Sequence, residues 1–219
     1  MSDTDSFISE VSEEVRKDKL YKLMRRYGWI AIALVVFVVG GAAVIEWRKA
    51  QARASAEATG DALVSALSAE TPEDRATALG EYEPDGGPDQ RAVVALLRAA
   101  AEAEAGEDAK ARVTLGEIAA NADVPALYRD LAVLKSVMLP GAAPEARIDQ
   151  LTPLMVPGNP YRLLAIEQRA LAEIEKGDTD AALQTLQDVM ADAGVTEGLR
   201  RRAAQLIVAL GGTIGENES

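Results

Sequence analysis

One stretch constrains this chain more than any other: Gly28 to Ile45, GWIAIALVVFVVGGAAVI. It contains no charge, no side-chain amide and no hydroxyl. As a helix rising ~1.5 Å per residue it reaches ~27 Å, close to the ~30 Å hydrocarbon core of a bilayer. Trp29 and Trp47 bracket it, each with a ring suited to the headgroup level. Lys22, Arg25 and Arg26 precede it, and Arg48, Lys49 and Arg53 follow. A buried core helix would rarely run this long without a charge, so the stretch reads as a transmembrane helix over residues 28–47.

A cleaved signal peptide is the rival reading, with Ala50-Gln51-Ala52 as a small-x-small site. Three features oppose it. The apolar run exceeds the usual ~7–15 residues, and the segment before it carries Asp3, Asp5, Glu10, Glu13, Glu14 and Asp18. Arg48 and Lys49 follow directly, as a stop-like flank. Orientation follows from Lys and Arg. Arg16, Lys17, Lys19, Lys22, Arg25 and Arg26 stand on the N-terminal side, against Arg48, Lys49 and Arg53 near the other end. This places the N-terminus in the cytoplasm and residues 46–219 across the membrane, which in a bacterium is the periplasm.

Residues 1–27 form a cytoplasmic tail with one narrow apolar stripe, Phe7, Val11 and Val15. The stripe suits a helix resting on lipid headgroups, or a docking stripe for a cytoplasmic partner. The chain has 219 residues and a formal net charge of −12, so phosphate backbones are repelled and nucleic acid is not an expected partner. It has neither Cys nor His. That removes disulfides, thiolate nucleophiles, Ser-His and Cys-His relays and His-ligated zinc.

After Ile45 no segment alternates with period two, and Ala, Leu, Glu and Arg dominate, which favours helix throughout. The punctuation is periodic. Gly106-Glu-Asp-Ala-Lys-Ala111, Gly141-Ala-Ala-Pro-Glu-Ala146 and Gly177-Asp-Thr-Asp-Ala-Ala182 share a frame, and Thr71-Pro-Glu-Asp-Arg-Ala76 fits it with Thr for Gly. The first positions step by 35, 35 and 36, and Gly212 falls another 35 on. Two helices per ~34 residues is the tetratricopeptide period. The glycine ends one helix in a left-handed turn, an acidic residue caps the next, and the alanine five residues on is small because paired helices approach there.

First helices also recur, as Tyr128-Arg129-x-x-Ala132, Tyr161-Arg162-x-x-Ala165 and Leu199-Arg200-x-x-Ala203. The spacing predicts a long helix to about residue 69 and second helices near 73–83, 108–121, 144–156 and 179–193. First helices fall near 91–105, 126–139, 161–176 and 197–211, the last capping the stack with a polar face. A coiled coil is the competing all-α reading, but seven-residue spacing is not sustained. Residues 48–67 could still pair with a copy of themselves.

A short tail, one span entering from the cytoplasm and a degenerate acidic repeat domain together resemble the YfgM-like proteins, ancillary subunits of the SecYEG translocon. The tail Phe7-Ile-Ser-Glu-Val-Ser-Glu-Glu-Val-Arg16, followed by Tyr27-Gly28-Trp29, and the Tyr-Arg-x-x-Ala copies are similar to what those sequences carry. The resemblance implies an inner-membrane protein that contacts the translocon and a periplasmic chaperone, helping exported proteins past the membrane. One departure is that the aromatic positions of strong tetratricopeptides are here mostly Ala or Leu.

No catalytic constellation stands out. Glu102 and Glu104 point to different helix faces, Asp178 and Asp180 cap a helix, and Asp85 to Asp89 is short of carboxylates for a calcium loop. No Gly-rich phosphate loop is present, and no cofactor, metal or small-molecule substrate is expected. Two binding features remain. Gly40 and Gly41 would let transmembrane helices approach closely, including those of a second copy. Arg129, Arg162 and Arg200, with Tyr128 and Tyr161, would line a protein-binding face of the stack, unless each arginine pairs with an acidic neighbour. The expected layout is all-α. A cytoplasmic tail (1–27) leads to the transmembrane helix (28–47) and a connecting and first repeat helix (48–69). Tetratricopeptide-like repeats (70–212) and a disordered tail (213–219) follow. The expected function is a non-enzymatic, single-pass inner-membrane adaptor with chaperone-like behaviour at the protein-export site. The alternative is a subunit of another inner-membrane complex, respiratory or envelope.

Overall fold

The computed structural model describes residues 3–213, with side chains at 25, 26, 29, 30 and from 33 onward. Among the described residues every regular element is a helix. The chain divides into two compact units, residues 1–54 and 55–219.

The first unit lies on helix α1, Asp3–Leu67. Leu34, Val35, Val36, Phe37, Val38 and Val39 are all exposed, so the helix is apolar all round rather than on one stripe. Among the described residues, no helix is long and apolar enough to cross a membrane. Of the expected span, the side chains of Gly28, Ala31 and Ile32 lie outside the described residues, as do Phe7, Val11 and Val15 of the tail stripe and residues 214–219.

The second unit begins with the end of α1 and continues through α2 (Pro72–Glu81), α3 (Pro88–Glu104), α4 (Asp108–Ala120), α5 (Ala126–Met138) and α6 (Pro144–Leu151). A 3-10 turn, Thr152–Met155, extends α6. Then come α7 (Arg162–Lys176), α8 (Thr179–Ala191) and α9 (Glu197–Ala209). Local chemistry sets these boundaries. Thr71 caps α2 by accepting from the Asp74 amide at 3.1 Å, with Pro72 in the first helical position. Gly106 and Gly177 are left-handed, and the amides after them, Glu107 and Asp178, reach back to the Glu102 and Glu173 carbonyls at 2.8 and 2.9 Å. At the end of α9 the left-handed residue is Gly211, not Gly212. A Cβ on Gly212 would come within 2.7 Å of Leu183 Cδ2.

The core is a row of small clusters rather than one mass. Ala66, Ala76, Leu79, Val94 and Ala101 join the end of α1 to α2 and α3. Leu96, Ala111, Leu115, Ile118 and Ala132 join α3, α4 and α5. Leu134, Val137, Leu151, Leu154 and Ala165 join α5, α6 and α7. Ala170, Leu186, Val189, Ala203 and Ile207 join α7, α8 and α9. Each cluster involves only neighbouring helices, the property that makes repeat stacks quasi-one-dimensional.

The expected close-approach alanines are found in three of four places. Ala111 and Ala182 are fully buried and Ala76 nearly so. Ala146 is exposed. The helix α6 starts three residues after its glycine, whereas α4 and α8 start two after theirs, so Arg147 takes the inward position. Its guanidinium stays largely buried and pairs with Glu175 through one nitrogen at 2.5 Å.

Candidate interaction surface

The alanine of each Tyr-Arg-x-x-Ala copy marks where one helix sits on the preceding pair. Ala132, Ala165 and Ala203 are all fully buried, each within a different cluster. The residue four before it packs on the same cluster: Tyr128, Tyr161 and Leu199. Both tyrosines are therefore half-buried wedges between repeats, not free surface groups. Burial, with the nearby charge of Asp130, pushes the Tyr161 phenol above its ordinary range.

The three arginines do not share one role. Arg162 is the first residue of α7 and forms an ion pair with Asp192, just beyond α8. The guanidinium and the Gly194 amide hold the Asp192 carboxyl below its ordinary range. Arg129 and Arg200 are each the fourth residue of their helix, and neither has an ion pair among the described residues. Residues 55–219 hold 28 Asp and Glu against 14 Lys and Arg, yet Arg91, Arg112 and Arg201 likewise have no ion pair among the described residues. At Gly40 and Gly41 an added Cβ would meet nothing within 4 Å in the chain itself.

Sequence reasoning missed the buried charges. Glu102 on α3 is 2% exposed, and its oxygens accept from Arg98 Nε at 2.7 Å and Thr114 Oγ1 at 2.8 Å. Glu173 on α7 is 4% exposed and accepts from Arg169 Nε at 2.7 Å and Thr185 Oγ1 at 2.8 Å. The second trio lies 71 positions after the first, and Gly106, Ala111 and Leu115 recur at the same offset as Gly177, Ala182 and Leu186. Glu167 is also buried and takes a two-pronged bond from Arg202 of α9, at 2.6 and 2.8 Å. The signal was available in sequence: a carboxylate four residues before a helix-ending glycine, with a threonine twelve residues later.

An open groove adjoins the first trio. Three shallow cavities of about 350, 290 and 510 Å3 lie between α2, α3 and α4, and Arg98 lines all of them. The guanidinium lies beside Gly80 on α2, where a Cβ would meet Arg98 Nε at 3.4 Å, an ordinary contact. Glu73 and Glu117 line opposite sides, and Val113 adds an exposed apolar contact. The groove thus combines side chains of both charges with one exposed apolar contact. Among the described residues, no group of acidic side chains could hold a metal ion. No family model matches the chain, and neither a curated protein nor a solved structure matches it.

Proposed function

We propose that this chain is a non-enzymatic, membrane-anchored adaptor whose tetratricopeptide-like repeats bind partner proteins at the protein-export translocon of the bacterial inner membrane. The observation that supports it best is the contrast along one chain. A run of consecutive exposed apolar side chains, Leu34 to Val39, needs an apolar surrounding, and a series of helix pairs with an open groove follows it. Lipid supplies the surrounding, with the N-terminus in the cytoplasm and residues 46–219 in the periplasm. The translocon and a periplasmic chaperone as partners rest on the resemblance in layout to the YfgM-like proteins.

The test is affinity purification of the full chain from native membranes in mild detergent. Recovery of translocon subunits is the expected result. Recovery of a respiratory or envelope complex instead would replace the proposal with the accessory-subunit alternative. Variants separate the two contacts. Gly40→Leu with Gly41→Leu should weaken association with the membrane complex by blocking close helix approach. Arg129→Glu with Arg200→Glu should weaken a periplasmic partner in a salt-dependent way and leave thermal stability unchanged. Arg162→Glu should lower stability instead, because it breaks the pair with Asp192.

A further inference from the structure

The two outer helix pairs carry the same clamp, and the pair between them carries none. In α3/α4 the clamp is Arg98, Glu102 and Thr114, and in α7/α8 it is Arg169, Glu173 and Thr185. Each carboxylate is buried, so pulling the second helix away would strand a charged acceptor without its hydroxyl. Such a bond fixes both the distance and the register of the two helices.

In α5/α6 every part of this device is replaced. Val137, four residues before Gly141, occupies the carboxylate position and is 1% exposed. Gln150 of α6, seven residues past the helix cap as Thr114 and Thr185 are, faces outward. The turn differs too. Helix α5 ends on extended Leu139, followed by Pro140 and a left-handed Gly141, without the six-residue closure that follows Gly106 and Gly177. Finally, α6 holds α-helical form for only 8 residues before Pro153 and the 3-10 turn.

Few directional bonds cross this junction. The Asn159 side chain donates to Asp130 at 2.8 Å across it, while Arg112 of α4 donates to the Pro140 carbonyl in the connecting turn at 2.6 Å. The rest is apolar contact of Leu134 and Val137 with Leu151, Leu154 and Ala165. Apolar contact is non-directional and lets surfaces slide where a buried charged hydrogen bond does not. We infer that the α5–α6 junction is the joint of the repeat domain, about which α2–α5 and α6–α9 move as two stiffer blocks.

The absence of cysteine makes the test clean, because introduced cysteines are the only labelling sites. Pairs of spin labels are placed at exposed positions of the full chain in detergent. Glu117→Cys with Asp188→Cys spans the joint. Glu81→Cys with Glu117→Cys lies within the first block, and Asp188→Cys with Arg201→Cys within the second. The expected result is a distance distribution across the joint about twice as broad as either internal one, as for a hinge between rigid bodies. Equal widths, whether all narrow or all broad, would overturn the inference, as would a broader internal pair.

Discussion

The Glu102 carboxylate shows how single side chains decide this structure. A carboxylate 2% exposed is tolerated only because Arg98 and Thr114 occupy its oxygens. Removing one hydroxyl should cost more than that bond contributes. Thr114→Val and Thr185→Val are each expected to destabilise by ~1–3 kcal/mol in urea unfolding, the desolvation cost of an orphaned acceptor. The double change Glu102→Leu with Thr114→Val should recover most of that loss, since apolar replacement of both partners is nearly neutral. Asp192 adds a pH term. Its carboxyl is held below the ordinary range by Arg162 and Gly194, so its contribution is full above the unfolded value of ~3.9 and fades as pH falls through the folded one. The stability difference between wild type and Asp192→Asn should therefore be constant near neutrality and shrink on acidification below pH ~4. A difference that grows on acidification would contradict the sign.

At the scale of elements, helix boundaries were legible in the sequence because glycine, proline and cap residues act locally. The 35-residue step located the turns at Gly106 and Gly177, and Thr71 marked the start of α2. The register inside α6 was not legible, because one extra residue between Gly141 and Pro144 rotates the helix and replaces Ala146 by Arg147 on the inner side. The arginines split for a related reason. A shared five-residue pattern does not fix the position within a helix, and Arg162 is the first residue of α7 where Arg129 and Arg200 are the fourth of α5 and α9. This difference has a measurable consequence. Ala111→Trp and Ala182→Trp should each destabilise by ~1–3 kcal/mol through overpacking, and Ala146→Trp should be close to neutral. Comparable loss at all three would restore the simple repeat register and contradict the rotation of α6.

At the scale of the whole molecule, residues 33–47 and residues 55–219 differ in what they expose. The repeat domain hides its apolar residues in small clusters and shows an acidic surface, whereas α1 shows Trp29, Phe37 and Trp47 at 68%, 80% and 66% exposure. Exposed aromatic and aliphatic side chains on every side of a helix are stable in lipid and costly in water. Under the proposed function, the membrane serves only for placement, and partners are bound by residues 55–219 on the periplasmic side. The most direct measurement of that claim is the protease sensitivity of the full chain in bacterial spheroplasts whose membranes are then washed with carbonate. External protease is expected to remove residues 55–219, while a short N-terminal fragment containing Gly28–Trp47 stays with the washed membranes. A chain released by the wash, or a repeat domain protected until the membrane is broken, would contradict it.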